Sequence, residues 1–354
     1  MPTRPLIVLA TLSVSLLFAA APVQAVVVER LYEATVPVAD QSAASQQRGL
    51  KDALAIVFVR ASGRRDAAAI DVEATRLVQQ FRFEQQTVTD PETGEPRQQL
   101  NLWARFDAVA VQRALVERDV PIWGRERPAV LVWLAYDDGF ERDLVDSDAP
   151  HGILAALTAT ARRRGVPIIP PLMDLQDRTS LPFSDLWGGF DDAIAGASQR
   201  YRSDAILVGR LFRADTERWG ARWILYSDGA SSHKSTEPGP LDAVVADGVH
   251  WIADGFAEQF SLMPDTAADG RTRIVVAGID GIPDYASVLG YLRSLSPVAG
   301  VAVERVERDQ VVFALELRGT AEQLERAIAL GSELTRAPDD FEALTGSLRY
   351  TLRP

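Results

Sequence analysis

The chain has 354 residues, no cysteine and a net charge of −12, with 49 acidic residues against 37 basic ones. The absence of cysteine excludes disulfides, thiol nucleophiles, thiolate metal sites and a lipid-bearing cysteine behind a leader. The negative charge argues against nucleic acids and anionic lipid surfaces as partners, because both attract basic protein surfaces.

The first 25 residues have the order of a secretory signal peptide. Arg4 supplies a positive charge, residues 6–21 are largely apolar, and small residues precede the end of the segment at Ala25. The apolar run is shorter than the roughly 20 residues that a membrane-spanning helix needs. We therefore predict cleavage after Ala25 and a soluble periplasmic protein without membrane insertion, with a retained anchor as the alternative.

The first predicted domain spans residues 26–126 and has the element order β-α-α-β-α. Apolar residues at helical spacing predict one helix over residues 41–63 and a second over residues 70–81. Alternation of apolar and polar residues at 100–105 predicts a strand. Asp107 is positioned to cap a short third helix.

The second predicted domain spans residues 127–262 and has the order β-α-β-α-β-β-α in a largely parallel sheet. The continuous apolar run Ala129–Tyr136 is typical of a strand buried on both faces. Helices predicted at 151–165 and 191–202 supply the crossovers between parallel strands. The Ser-, Gly- and Pro-rich stretch at 228–240 predicts a loop.

A predicted linker at 264–270 precedes the third domain, which spans residues 271–354. Its order β-α-β-β-α-(β) is that of a ferredoxin-like split βαβ unit. Thr320 and Gln323 have the spacing of a capping box at the start of its last long helix. Taken together, the elements predict a mixed α+β and α/β chain of three small domains.

Four short segments carry a family resemblance. They are 170–175 (PPLMDL), 185–188 (DLWG), 197–201 (ASQRY) and 203–210 (SDAILVGR). The chain resembles the uncharacterised bacterial periplasmic proteins of domain-of-unknown-function family 2066. That resemblance implies a Gram-negative cell envelope and brings no catalytic assignment.

A narrower resemblance concerns residues 204–211. This segment is similar to a strand in the N-terminal domain of the Tol-system translocation protein and in related envelope assembly lipoproteins. The resemblance implies docking and assembly rather than catalysis, although fold alone does not fix function. The chain lacks the anchoring cysteine of those lipoproteins, so a membrane tether is not part of the expectation.

The strongest candidate site follows the second predicted parallel strand, residues 166–169. Ligands and partners commonly meet parallel sheets at the carboxyl ends of strands. Prolines restrict the loop at 170–171, and the aromatic and arginine types that follow often dominate protein interfaces. The candidate interaction patch comprises Asp174, Asp177, Asp185, Trp187, Arg200 and Tyr201. The alternative is that Trp187 and Tyr201 are core residues and that Asp185 caps a helix.

Three other motifs admit a functional and a plain interpretation. Ser231 and Lys234 satisfy the Ser-x-x-Lys pattern of serine acyl enzymes, but their companion motifs are missing, which favours a solvated loop. The acidic stretch from Asp137 to Asp148 lacks the register of a calcium loop, and cation binding there stays open. The arginines at 162–164 suit either an anion or the end of a helix.

No residue is therefore assigned to catalysis, to a cofactor or to a metal. The favoured hypothesis is a non-enzymatic interaction or assembly module that binds envelope proteins. One alternative is an envelope hydrolase that uses Asp174, Asp177 or Asp185 as general acid and base. Another is a small-ligand carrier with its site between the second and third domains.

Overall fold

The computed structural model describes residues 26–28, 30–89, 95–262, 271–307, 310–331, 333–337 and 347–353. The predicted signal peptide and the predicted linker lie outside these ranges. Within them, helices pack on three larger β-sheets, which confirms the predicted mixed α+β class. None of the helices in the described ranges combines the length and apolar composition that crossing a bilayer requires.

The first unit is an antiparallel sheet of order β2-β4-β3 covered by helices. Its elements are β1 (Val26–Val27), β2 (Glu33–Pro37), α1 (Ala43–Ser62), β3 (Val78–Thr89), β4 (Pro96–Phe106) and α2 (Ala108–Val116). α1 ends at Gly63, whose φ of 72° favours glycine. The Asp107 side chain accepts a hydrogen bond from the Ala110 amide at 2.8 Å, which confirms its predicted role as the cap of α2.

The prediction of a helix over residues 70–81 is wrong. Short 3-10 turns at Arg65–Ala69 and Ala74–Arg76 are followed at once by β3. β3 pairs with β4 along its whole length, with Phe83 opposite Leu102. Apolar residues at helical spacing can also occur by chance where a turn leads into a strand. In this segment the pairing of two long strands determines the structure.

The second unit has a mixed sheet of order β11-β10-β9-β6-β7, and β8 also pairs with β6. Its elements are β5 (Glu126–Arg127), β6 (Val130–Asp137), β7 (Arg142–Leu144), α3 (Ile153–Arg164), β8 (Ile168–Ile169), α4 (Leu175–Ser180), α5 (Phe183–Gly188), α6 (Asp191–Ser198), β9 (Ala205–Arg213), β10 (Trp219–Ser227), β11 (Ala230–Gly239) and α7 (Leu241–Phe260). β6 is parallel to β8 and β9, and the strands outside this centre are antiparallel.

Strand β6 is buried on both of its faces, as its apolar run predicts. On one face it joins a core with α3 and α7. On the other face it packs through Trp133 and neighbouring side chains with Leu181, which follows α4, and with residues of α5 and α6. The two faces together position the loop that follows β8 at the edge of this core.

The loop predicted at 228–240 is instead the edge strand β11. Asp228 and Gly229, with φ of 51° and 74°, form the tight turn between β10 and β11. An Asp-Gly pair is one of the strongest sequence signals for a hairpin. The strand was missed because its side chains are almost all polar, which is tolerated at a solvent-facing sheet edge.

Trp223 of β10 is packed between two glycines. A Cβ built on Gly209 would lie 2.4 Å from Cζ3 of its ring, and one built on Gly248 of α7 would lie 2.4 Å from Cε2. These distances are far below van der Waals contact, so both positions require glycine for α7 to lie close to the sheet.

We expect Gly248→Ala to lower the free energy of unfolding by about 1–3 kcal/mol, because the added methyl group must displace the indole or the helix. The matched control is Gly255→Ala on the same helix, where nothing lies within 4 Å of the new methyl. There alanine should leave stability unchanged or raise it by up to about 1 kcal/mol, through its higher helix propensity. Urea denaturation followed by circular dichroism measures both, and equal effects of the two changes would contradict the prediction.

The third unit has a sheet of order β13-β14-β12-β16-β15. Its elements are β12 (Arg271–Ala277), α8 (Ile282–Ser294), β13 (Val298–Val306), β14 (Gln310–Leu317), α9 (Ala321–Ala329), β15 (Leu334–Arg336) and β16 (Ser347–Leu352). β14 lies between β12 and β13 and is antiparallel to both, as a split βαβ unit requires. β16 is parallel to β12 and separates it from β15, which adds a strand to the predicted order. Thr320 and Gln323 form the predicted capping box.

Candidate functional site

The loop after β8 is fastened to the residues that follow α6 by an ion pair. Asp174 caps α4 by accepting a hydrogen bond from the Asp177 amide at 2.9 Å. The Arg200 guanidinium donates to both oxygens of Asp174, with Nη1 at 2.8 Å from Oδ1 and Nη2 at 2.9 Å from Oδ2. A two-point arginine–carboxylate pair fixes orientation as well as distance.

Asp177 is the buried centre of this arrangement, with a side chain 1% exposed. It accepts hydrogen bonds from the Met173 amide at 2.9 Å, from Arg200 Nη1 at 2.9 Å and from the Tyr201 hydroxyl. The Tyr201 oxygen in turn accepts from the Leu172 amide at 2.8 Å. We call Asp174, Asp177, Arg200 and Tyr201 the aspartate–arginine brace.

The brace is tied to the core below the loop. The Tyr201 ring lies edge-on to Trp133 of β6 with 5.9 Å between ring centroids. Burial and the hydrogen bond to Asp177 raise the pKa of the Tyr201 hydroxyl, so it stays a neutral donor. The brace therefore holds residues 172–177 in one position relative to the sheet.

Charge pairing also fixes the protonation of the brace. The hydrogen bonds from Arg200 lower the pKa of Asp174 to about 2, and the Asp174 carboxylate raises the pKa of Arg200. Because the folded pKa of Asp174 is depressed, its contribution to stability is present above the ordinary aspartate pKa. That contribution is lost as the pH falls through about 2.

We therefore expect the carboxyl carbon of Asp174 to titrate in NMR with a midpoint of about 2. In the Arg200→Gln variant, the midpoint should rise toward the ordinary aspartate value of about 4 but stay below it, because the Asp177 amide still donates to the carboxylate. A midpoint near the ordinary value in the wild-type protein would contradict the ion pair.

Asp185 and Trp187 lie on α5, apart from the brace. Trp187 is half-buried and stacks on Phe183 at 5.1 Å between centroids, and its carbonyl accepts from Arg210 Nη1 at 2.7 Å. Asp185 accepts from the Ser184 hydroxyl at 2.9 Å and does not cap α5, which begins after Pro182. No hydrogen bond or ion pair among the described residues joins Asp185 or Trp187 to the brace. The six predicted patch residues therefore form two groups.

Two leucines beside the brace are exposed and were not singled out from the sequence. Leu172 is 70% exposed and Leu175 is 83% exposed, although each adjoins a residue of the brace or its loop. Arg178 of α4 contacts Asp146 at 2.5 Å and so connects this loop to the hairpin of β6 and β7. Phe140 at the tip of that hairpin is fully exposed. The sequence signal that could have identified these leucines is their position, as apolar residues, in a surface loop that contains prolines.

Two other sequence candidates take ordinary structural positions. Ser231 and Lys234 lie on β11 at an odd separation, so their side chains point to opposite faces, and Lys234 pairs with Asp247 at 3.0 Å. In the acidic stretch, the Asp138 carboxylate accepts from the amides of Phe140 and Glu141 at the hairpin turn. Within the described part of the chain, no three His, Asp or Glu side chains group as metal ligands.

A small pocket of about 20 Å³ lies between the second and third units, where the small-ligand alternative expects a cleft, and side chains bridge it. Ser296 donates to Glu126 at 2.8 Å, and Arg326 donates to the Gln259 carbonyl at 3.0 Å. A water molecule fits such a space, but a metabolite does not.

Comparison with known proteins gives little functional information. A family model described as a domain of unknown function (DUF8605) matches residues 25–124. No curated protein matches significantly. Among solved structures, the competence damage-inducible protein A (ComA) from Klebsiella pneumoniae subsp. pneumoniae MGH 78578 is 16% identical, with a TM-score of 0.23, over 43% of this chain and 92% of that chain. A TM-score this low supports no argument.

The match agrees with the expectation of an uncharacterised family, while the resemblances to family 2066 and to the Tol-system domain stay predictions. A family model of unknown function thus covers residues 25–124.

Proposed function

We propose that this protein is a non-enzymatic interaction module of the bacterial cell envelope. The proposal includes export through the N-terminal signal peptide and docking through the loop that the brace holds. The observation that carries it is the exposure of Leu172 and Leu175, at 70% and 83%, on a loop whose backbone and neighbouring charges are fixed from below. Preorganised apolar groups of this kind lose little entropy when a partner covers them.

The state of the carboxylates favours binding over hydrolysis. A general acid must be protonated near the working pH, but Arg200 lowers the pKa of Asp174 to about 2. Asp177 is buried and already accepts three hydrogen bonds. Neither carboxylate is therefore available for proton transfer to a substrate.

Charge complementarity indicates what kind of partner fits. The leucines lie beside Asp174, and Arg178 links their loop to the acidic hairpin of Asp143 and Asp146, on a chain of net charge −12. The partner we propose is therefore an envelope protein that presents apolar side chains flanked by lysine or arginine. Charges at the rim of such an interface mainly steer association, so binding should weaken with salt.

Site-specific photo-crosslinking in intact cells tests this proposal. A photoreactive residue at Leu172 or at Leu175 should capture the same protein, and Arg200→Gln should reduce capture by loosening the loop. The matched control is Ile282 on α8, which is also 83% exposed. Capture at Ile282 equal to that at both leucines, or no capture at either leucine, would overturn the docking surface.

Export is tested separately. We expect mass spectrometry of the periplasmic fraction to find a mature protein that begins at Val26. A protein that retains Met1 and fractionates with the cytoplasm would contradict the envelope setting.

A further inference from the structure

A second surface of the molecule has the opposite charge. A cleft of about 670 Å³ lies between the first sheet and the end of α3. Four arginines line it, namely Arg30, Arg60, Arg162 and Arg163, together with one carboxylate, Glu33. Glu33 is already engaged by Arg105, with Oε1 2.9 Å from Nε and 2.8 Å from Nη2. The cleft is therefore cationic on a chain that is acidic overall.

The three arginines at the end of α3 have separate environments. Arg164 is buried, and its Nη2 donates to the Gly63 carbonyl and to Asp254, both at 2.7 Å. Arg127, from the strand before β6, donates through Nη1 to the carbonyls of Gly165 at 2.8 Å and Arg164 at 3.4 Å. Arg127 thus supplies donors to carbonyls at the C-terminal end of the helix, while Arg164 ties the helix to Gly63 and Asp254, and neither role uses Arg162 or Arg163.

The remaining guanidinium groups at the cleft have donors to spare. Arg162 and Arg163 are exposed, and Arg163 makes one long hydrogen bond to Thr160 at 3.4 Å. Among the described residues, the guanidinium groups of Arg162 and Arg30 have no hydrogen-bond or ion-pair partner. Each planar guanidinium presents paired donors that match two oxygens of a phosphate or a carboxylate.

Buried positive charge beneath the cleft adds to its potential. Arg60 donates through Nη1 to the carbonyls of Arg30 at 3.0 Å and Glu33 at 2.6 Å, and Arg127 also binds carbonyl oxygens only. Burial lowers the pKa of Arg60, and burial together with Arg60 lowers that of Arg127 to about 9. Within the described chain no carboxylate forms an ion pair with either group, and Glu33 and Glu126, which lie near them, offset their charge only in part; a low-dielectric cleft concentrates the remaining field.

We propose that this cleft binds a small ligand carrying two or more phosphate or carboxylate groups, held by Arg162, Arg163 and Arg30. Its volume lies within the range of about 300–1,000 Å³ that is common for small-molecule sites. The site is distinct from the leucine loop, and its ligand is anionic where the proposed protein partner is apolar and basic. The two proposals therefore stand or fall independently.

Calorimetric titration at constant ionic strength tests the site, with inorganic pyrophosphate and citrate as the two probes. The test variant is Arg162→Gln with Arg163→Gln. The control variant is Arg142→Gln with Arg293→Gln, which removes the same charge from exposed positions that do not line the cleft. Melting curves establish that both variants are folded.

We expect at least one probe to bind, and the Arg162/Arg163 double variant to bind it about tenfold or more weakly, because two charge-assisted contacts are lost. The control should stay within about twofold of wild type, since distant exposed charges are largely screened. The ratio of the two affinities tells phosphate from carboxylate ligands. Absence of binding by both probes, or an equal loss in both double variants, would overturn the site.

Discussion

Arg127→Met is expected to lower the free energy of unfolding by about 3–5 kcal/mol, a loss at the upper end of what single substitutions cause. The guanidinium is fully buried and donates to four well-formed carbonyl acceptors. These are the carbonyls of Gly124 at 2.8 Å, Trp123 at 2.9 Å, Arg60 at 2.6 Å and Gly165 at 2.8 Å.

The loss of stability arises from the buried carbonyl groups that the substitution leaves without a donor. Methionine fills much of the space but donates nothing, so carbonyl groups of α1, of the segment before β6 and of the end of α3 remain buried without partners. The guanidinium also covers the Trp123 ring at 3.9 Å from its centroid, and that contact is lost too. Arg127 is thus a shared hydrogen-bond donor between the first and second units.

Urea denaturation of the full chain measures the effect. Arg125→Met is the matched control, because Arg125 is two residues away and its side chain is exposed. Its guanidinium lies 5.9 Å from the centroid of the Tyr32 ring, a much looser contact than that of Arg127 with Trp123. The control should change stability by no more than about 0.5 kcal/mol. Similar losses in the two variants would show that Arg127 does not have the role described.

Asp177→Asn is expected to cost about 2–4 kcal/mol and to reduce crosslinking from Leu175 strongly. The carboxylate is buried and accepts from Met173, Arg200 and Tyr201. An amide of the same shape offers one acceptor oxygen and a donor nitrogen. One of these three donors then faces another donor, and Arg200 loses a charged partner in a buried site.

Asp174→Asn provides the control for this second prediction. Asparagine retains the helix cap, and the Asp174 side chain is 43% exposed against 1% for Asp177. Its effect on stability should therefore be clearly smaller. The idea of a buried brace centre would be refuted if the two variants unfolded at the same urea concentration.

The sequence-based predictions succeed where burial dominates. The run Ala129–Tyr136 predicts a doubly buried strand, because its pattern reflects the two surfaces it must cover. The failures at 70–81 and 228–240 have one cause. Both segments owe their structure to pairing with a neighbouring strand, and apart from the turn at Asp228 and Gly229 that pairing leaves little trace in their own sequences.

The candidate site shows the same division. The predicted patch includes Asp174, Asp177, Arg200 and Tyr201, but it also includes Asp185 and Trp187, which the structure places apart from them. The sequence does not predict which of these side chains bind one another, because their contacts depend on how the residues after α6 pack against α4. Arg127 was not singled out at all: a lone arginine between prolines and apolar residues looks like a domain boundary, and only the packed structure supplies its acceptors.

The position of β16 has a consequence for how the third unit folds. Val276 of β12 pairs with Tyr350 of β16, and β15 pairs in the described sheet with β16 alone. The chain between β12 and β16 must form a closed loop before these two strands can make their stabilising contacts, and this requirement slows folding. We expect the apolar strand β12 to have one unpaired side until β16 adds to the sheet, and an unpaired strand edge favours association between chains.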